Sequence, residues 1–438
     1  MKGHRDAADQ LYALVANDED ARVCTDLSEE ACREVPGNFF RMLSSQVLTS
    51  IGDLLINPKT VLAWLIGAVG APSALVAWLV PIRESGSLIP QLAIGAWVRR
   101  HPQRKPFWVL GAVLQGASVA AMAACVWWLD GLAAGLGIIL MLVLFSLARG
   151  LCSVALKDVQ GKCIPKSRRG RLAGLASTLS GVITLALAAV IFHDDTDPGL
   201  ALYIGLLLAA ALTWWLAALL FHRVEEFDGE TGGGGNALRT AIASLSLLRD
   251  DRPFRRFVIA RALLMASALG APFMVVLAQQ QGGGALMLGT FVMAASLASA
   301  LSATAWGYMA DASSRQVMVR GGALACLACL MTGGLALVES DFSGASWFYP
   351  VAFFVLSVAH AGVRIGRKTY MVDMAGGNRR TDYVAVSNTA IGVLLLVAGG
   401  LSALASLISS AAVLLLLGAM GLLGTLSAWR LRDVSAQS

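Results

Sequence analysis

The chain has 438 residues, of which 57% are hydrophobic and only 14% are charged, and its formal net charge is +6. A typical soluble domain carries roughly 25% charged residues. Together with a mean hydropathy of +0.68, this excludes an ordinary soluble protein and predicts an all-α membrane protein. With five histidines, no metal-spaced cluster and no Ser-His-Asp arrangement that the topology can bring together, we expect no catalytic site, no metal and no cofactor.

Residues 1–37 are polar and charged, and we interpret them as a cytosolic N-terminal segment. The rest of the chain contains apolar runs of about 20 residues, the length at which an α-helix crosses the hydrocarbon core. These runs predict twelve transmembrane helices in two six-helix bundles. The first run is interrupted by Asn57-Pro58-Lys59. The predicted spans are 38–64, 72–97, 106–128, 132–156, 171–192, 199–221, 256–279, 285–309, 317–338, 346–366, 383–404 and 408–430.

Basic residues are distributed very unevenly between the loops. Of the 34 Lys and Arg, 29 fall on the side shared with the amino terminus, whereas the opposite loops hold only Lys59. The positive-inside rule then predicts that both termini face the cytosol, in a bacterial inner (plasma) membrane. The net charge thus reflects topology, and we expect no nucleic-acid partner. Cys24 and Cys32 are expected to be reduced thiols in the cytosolic segment. The predicted domains are an N-terminal bundle 38–222, a cytosolic linker 223–255, a C-terminal bundle 256–432 and a tail 433–438.

An internal repeat relates the two bundles. When the chain is shifted on itself by 211 positions, several basic residues of the loops coincide. The two halves have the same sidedness at this offset, so the repeat is parallel, with its axis along the membrane normal. The coinciding pairs are Arg104 with Arg315, Lys157 with Lys368, Arg168 with Arg379 and Arg169 with Arg380.

The loops after the second and eighth predicted helices carry a recognisable motif. The stretch from Gly95 to Lys105 resembles the loop 2-3 signature of the major facilitator superfamily of secondary transporters, and the stretch from Gly307 to Arg315 resembles its second copy. Ala148-Arg149-Gly150 resembles the arginine motif of helix four in that superfamily. The first loop departs from the family pattern, because Arg99 stands where the family usually has Asp. The resemblance implies a conformational gate made of Gly95, Arg99, Arg100, Arg104, Gly307, Asp311, Arg315, Asp373 and Arg379.

Polar and charged side chains recur at helical spacing within several predicted spans, as the wall of an aqueous cavity requires. The stretch from Val80 to Pro90 is the clearest, since it sets Arg83 and Glu84 in the middle of an apolar run. Four interior arginines against two acids leave a net charge of +2, which favours an anionic substrate. Asp53 or Glu84 is the candidate proton carrier. The candidate substrate and proton pathway comprises Asp53, Arg83, Glu84, Gln91, Arg149, Arg261, His360 and Arg364.

The sequence therefore predicts a proton-coupled transporter of a small organic anion or amphipathic metabolite, acting as a monomer in the lipid bilayer with a small-molecule substrate and protons as partners. A drug-type proton antiporter and a non-transporting membrane scaffold or sensor are the alternatives. At residue level, Asp53 and Glu84 have a structural ion pair with an arginine as their alternative role. Arg261, His360 and Arg364 have snorkelling to the cytosolic interface as theirs.

Overall fold

The computed structural model describes residues 29–191, 199–229, 231, 246–338, 344–374 and 380–434, and these residues form helices without strands. Ten of the helices are long and apolar enough to cross a membrane. Two further spans at the beginning of the chain are broken into shorter helices, which makes twelve. The protein is an integral membrane protein.

We number the spans α1 to α12. They are Glu29–Leu55 continued by Val61–Ala68 (α1), Val76–Leu88 continued by Gln91–Val98 (α2), Lys105–Trp128 (α3), Gly131–Cys163 (α4), Lys166–Ile191 (α5), Gly199–His222 (α6), Arg252–Leu264 continued by Ala266–Leu269 and Ala271–Gln280 (α7), Ala285–Ala312 (α8), Ser314–Leu337 (α9), Phe348–Met374 (α10), Arg380–Ser406 (α11) and Ser410–Trp429 (α12). A single 3-10 turn, Ser73–Leu75, precedes α2, and a short helix, Leu247–Asp250, precedes α7.

The break within α1 lies at the predicted interruption. Pro58 has no backbone N–H, so the helix cannot continue through it with all its hydrogen bonds. The side chain of Asn57 accepts a hydrogen bond from the backbone N–H of Lys59 (2.9 Å), and the Asn57 carbonyl accepts one from Leu62 (3.1 Å). Irregular backbone inside a membrane persists where such bonds satisfy it or where it lines a water-filled cavity.

Most helices are longer than predicted, and three extend furthest beyond the predicted bounds. α1 begins at Glu29 instead of 38, α4 ends at Cys163 instead of 156, and α10 ends at Met374 instead of 366. The added segments contain charged residues, which end an apolar run but do not end a helix. The segment expected to be entirely outside the bundles therefore contributes its last residues to α1. In addition, Cys32 is disulfide-bonded, which corrects the expectation of a reduced thiol there.

The two halves are built in the same way. In the N-terminal half, α3 packs on α4 and α6, α2 packs on α4, and α1 packs on α5 and α6. In the C-terminal half, α9 packs on α10 and α12, α8 packs on α10, and α7 packs on α11 and α12. Each pairing of one half thus recurs six helices later in the other. The two bundles meet through α2 with α11 and α5 with α8.

The loop after the second helix of each half is held by an acid that follows the sixth. The side chain of Glu226 is fully buried and accepts hydrogen bonds from the backbone N–H groups of Arg104 (2.8 Å) and Lys105 (2.6 Å). It also forms an ion pair with Lys162 (2.8 Å). In the other half, Asp433 accepts a hydrogen bond from Ser313 (2.6 Å) and lies 3.5 Å from Arg315. Equivalent acids therefore fix equivalent loops, at the end of the bundle where the chain enters α1 and leaves α12. We call this end the inner end and the opposite end the outer end.

Contacts between the halves run from the membrane centre to the outer end. The Ser85 hydroxyl donates to the Gly392 carbonyl (2.7 Å). Gly399 lies so close to α2 that a Cβ there would be 2.7 Å from Pro81. At the outer end, Gln279 donates to the Trp64 carbonyl (3.0 Å). The inner segment of α2, in contrast, packs on α4 of its own half. The structure is therefore closed at the outer end.

The Glu226 contacts predict a marked loss of stability in the Glu226→Ala variant. The change leaves the backbone N–H groups of Arg104 and Lys105 without their acceptor and removes the charge partner of Lys162, which costs about 2–4 kcal/mol. Thermal unfolding of the purified protein in detergent measures the effect as a lower midpoint temperature.

Glu225→Ala is the matched control, because the Glu225 side chain is 51% exposed and makes only a 3.6 Å ion pair with Arg41. Such exposed pairs contribute about 0–1 kcal/mol. Equal midpoint temperatures for the two variants would contradict the role assigned to Glu226.

Candidate functional site

Asp53 binds two arginines from neighbouring helices in the interior of the N-terminal half. Its carboxylate lies 2.6 Å from Arg83 of α2 and 2.6 Å from Arg149 of α4. The Arg83 guanidinium also lies 4.7 Å from the centre of the Phe145 ring, a cation–π contact. Arg83 is buried, whereas the Arg149 side chain is 37% exposed. Three of the predicted site residues are thus brought together in one charged cluster with a formal charge of +1.

Glu84 follows Arg83 in the chain but lies in different surroundings. It is exposed, although it belongs to the middle of a membrane-spanning helix. Its charge interacts with Arg83 and Arg149 of its own half and with Arg261 and Arg367 of the other half. Because these partners come from both bundles, the Glu84 carboxylate faces the space between them. Within the described part of the chain, no ion pair of 4.0 Å or less involves Glu84.

Arg261 of α7 is held by two neutral side chains of α11. Its guanidinium donates to the Ser387 hydroxyl (2.6 Å) and to the Asn388 side-chain oxygen (3.1 Å). These hydrogen bonds fix its orientation without neutralising its charge. Sequence reasoning missed Ser387 and Asn388, although their polarity within an apolar run was a usable signal.

His360 and Arg364 of α10 lie in the same interior region. The His360 ring is 3.0 Å from the Ser267 hydroxyl of α7. Arg364 is exposed, and its charge interacts with those of His360, Lys59 and Arg367. These contacts are with interior groups, whereas side chains that snorkel would extend to the inner interface. Gln91 begins the inner segment of α2 and is half-buried.

Two interior cations were assigned wrongly from the sequence. Lys59 was placed in an outer loop, but it lies at the break within α1, and its charge interacts with Glu84 of α2 and with Arg364 and Arg367 of α10. Arg367 was counted among the inner loop residues because the predicted span ended at 366. Since α10 continues to Met374, His360, Arg364 and Arg367 follow one another at spacings of four and three and share a helix face.

The interior charge is consequently larger than the sequence indicated. Six cations face two acids, which leaves a formal charge of +4, with His360 neutral. Of this excess, the N-terminal half supplies +1 and the C-terminal half +3. The residues that form this interior cluster are Lys59, Arg83, Arg149, Arg261, Arg364, Arg367, Asp53 and Glu84.

The gate residues implied by the family resemblance lie at the inner end. Arg104 and Arg315 are held by the Glu226 and Asp433 contacts already described. Arg99 and Arg100 are exposed at the end of α2, and the Arg99 guanidinium folds back toward Gly95, so that a Cβ there would lie 3.9 Å from it.

In the second copy of the motif, Gly307 has open space around its Cα, and Asp311 is exposed. Asp311 makes no ion pair within 4.0 Å to any described residue. Asp373 is exposed near the end of α10. Arg379 lies outside the described residues.

No protein-family model matches the chain, and no curated protein matches it. Solved structures do resemble it. A POT family transporter in complex with 5-aminolevulinic acid superposes with a TM-score of 0.67 at 12% identity, covering 89% of this chain and 94% of that one. The nucleoside transporter NupG gives 0.67 at 10% identity, covering 90% and 100%. A D-xylose-proton symporter gives 0.66 at 13% identity, covering 92% and 99%. The chain has the fold of the major facilitator superfamily, which confirms the predicted fold class.

The Asp53 cluster predicts a coupling between substitutions. Asp53→Asn leaves Arg83, which is 8% exposed, without its charge partner, and breaking a buried pair from one side costs about 3–5 kcal/mol. We expect a lower thermal midpoint for Asp53→Asn and a partial recovery in Asp53→Asn combined with Arg149→Gln, because the second change removes one uncompensated cation. If the two substitutions lower the midpoint additively, the three side chains do not act as one cluster.

Proposed function

We propose that the protein is a secondary transporter that couples proton movement to the transport of a small organic anion. The observation that carries this proposal is the interior cluster with its formal charge of +4, contributed by both halves. Positive charge in a low-dielectric interior favours a bound counter-ion of negative charge. A drug-type antiporter for lipophilic cations fits less well, since its substrate would have the same sign as the site.

The transport cycle follows from the arrangement of the halves. Two bundles, 38–222 and 256–432, rock against each other around the central site, with Gln91 on the inner path and the loop motifs at Arg104 and Arg315 as the inner gate. The closed outer end and the exposed Glu84 and Arg364 support an inward-facing state. One chain supplies both halves of the site, so the transporter acts as a monomer.

Glu84 is the proposed proton carrier, and Asp53 is a structural acid. Asp53 is bound by two arginines, which hold its carboxylate in place within one bundle. The Glu84 carboxylate faces Lys59, Arg83, Arg149, Arg261 and Arg367 without a close ion pair. Its protonation therefore changes when the surrounding positive charge or its access to water changes. Similarity to a proton symporter supports coupling to protons.

The Glu84→Gln variant tests the carrier. In proteoliposomes with succinate, butyrate and glycerol 3-phosphate as radiolabelled probes, we expect it to lose uptake driven by a pH gradient and to keep exchange of labelled for unlabelled probe. Glu225→Gln, at the exposed inner end, is the matched control and should behave as the wild type. Unchanged gradient-driven uptake in Glu84→Gln would remove Glu84 from the proton pathway. If the wild type moves none of the probes faster than protein-free liposomes, the anion-transport proposal fails.

We also propose that both termini lie in the cytosol of a bacterium, with the protein in the inner membrane. The excess of basic residues in the loops of the inner end supports this orientation. A green fluorescent protein fused after Ser438 should fluoresce, since this reporter folds in the cytosol and not after export in unfolded form. The opposite result would be a C-terminal fusion that does not fluoresce and a phosphatase, active only after export, that is active when fused at the same position. It would show that the C-terminus lies outside the cytosol.

A further inference from the structure

The interior cations divide into those that already have partners and those that do not. Arg83 and Arg149 share the Asp53 carboxylate. Arg261 has two neutral acceptors on α11. Lys59 and Arg364, in contrast, make no ion pair within 4.0 Å to any described residue, and the guanidinium of Arg367 contacts only the sulfur of Met265 among the hydrogen bonds of the described chain.

These three cations come from both halves and lie close enough for their charges to interact. Lys59 belongs to the broken α1 of the N-terminal half, whereas Arg364 and Arg367 belong to α10 of the C-terminal half, and the charge of Lys59 interacts with both arginines. Glu84 is the only described acid that interacts with Lys59. Three cations and one carboxylate leave a formal charge of +2, and like charges placed opposite each other push the two bundles apart.

Their positions are defined by backbone structure. The Lys59 backbone N–H is held by the Asn57 side chain within the α1 break. Arg364 and Arg367 are one helical turn apart on α10, so their guanidinium groups project from the same face. Guanidinium groups bind carboxylates and phosphates through paired hydrogen bonds, and an ammonium group binds either as a point charge.

We propose that Lys59, Arg364 and Arg367 together bind one small dianion, a dicarboxylate or a phosphate monoester, which bridges the two halves. The proposal rests on the anion-transport function proposed above and narrows its substrate class. One end of the dianion binds the arginines of α10 and the other end binds Lys59. The bound charge replaces repulsion between the halves with attraction, so the inner end closes around a loaded site. Exchange of dianions is then faster than net transport, because an empty site opposes closure.

The test compares dianions with monoanions of matched size. The thermal midpoint of the purified wild-type protein is measured slightly above neutral pH at constant ionic strength with succinate, butyrate, glycerol 3-phosphate or glycerol. A ligand that binds the folded state raises the midpoint. We expect succinate to raise the midpoint more than butyrate does, and glycerol 3-phosphate to raise it more than glycerol does. Whichever of the two dianions has the larger effect identifies the carboxylate or the phosphate as the preferred group.

Substitutions locate the site. Lys59→Met should weaken dianion binding roughly tenfold or more, the effect of losing one charge-assisted hydrogen bond, and should leave butyrate binding unchanged. Arg364→Gln should weaken both dianion and monoanion binding, because Arg364 binds the charged group that both kinds of ligand have. Arg320→Gln, an exposed arginine of α9, is the control and should bind as the wild type does. Counterflow in proteoliposomes should show the same order.

The outcomes separate the two proposals. If butyrate binds as well as succinate, or if Lys59→Met keeps the wild-type preference for dianions, the bridging site is wrong while anion transport stands. If none of the anions raises the midpoint and none is transported, both proposals fall. Because the folded state of each variant is checked by its own midpoint without ligand, a destabilised variant is distinguished from one that has lost binding.

Discussion

Among the described residues, six basic side chains from five helices lie in one interior region, and Asp53 and Glu84 are the acids that interact with them. Two like charges about 4 Å apart repel by about 4 kcal/mol even at an effective dielectric constant of 20, so neighbouring interior cations destabilise the structure unless an anion or water offsets their charge. Two apolar clusters are confined to one bundle each, around Phe107 in the N-terminal half and around Phe257 in the C-terminal half, whereas the largest cluster spans both bundles.

The two interior acids have different roles because they have different neighbours. Asp53 ties α1 to α2 and α4 within one bundle, and its two arginines make it a fixed part of that bundle. Glu84 interacts with cations of both bundles, and no described residue lies within 4.0 Å of it as an ion-pair partner. Sequence reasoning offered a structural ion pair as the alternative role for both acids. The structure gives that pair to Asp53 and leaves Glu84 without one, a distinction that depends on which way adjacent residues of α2 point.

The fold could be predicted from the sequence because hydropathy, helix length and the repeat are local or linear properties. The break at Asn57-Pro58-Lys59 could also be predicted from the sequence. The interior position of Lys59 could not, because a polar tripeptide in an apolar run resembles a loop. Arg367 was misplaced for a related reason: charged residues end an apolar run before they end a helix. The Asp53 cluster and the hydrogen bonds of Arg261 to Ser387 and Asn388 depend on how separate helices pack, which no single-helix pattern contains.

The repeat explains the architecture but not the chemistry. At the offset of 211 that relates the halves, the α1 break meets the α7 break, since Lys59 coincides with Gly270, between two helical segments of α7. The charged residues of the interior cluster, unlike those of the loops, have no charged counterpart in the other half. Asp53 coincides with Leu264 and Glu84 with Ala295, whereas Arg364 coincides with Ser153. The two halves therefore share a backbone plan but differ in interior charge, with both acids in one half and the larger positive excess in the other. An anion bound between such halves, as we propose, would meet unlike surfaces, and its two ends would contact different groups.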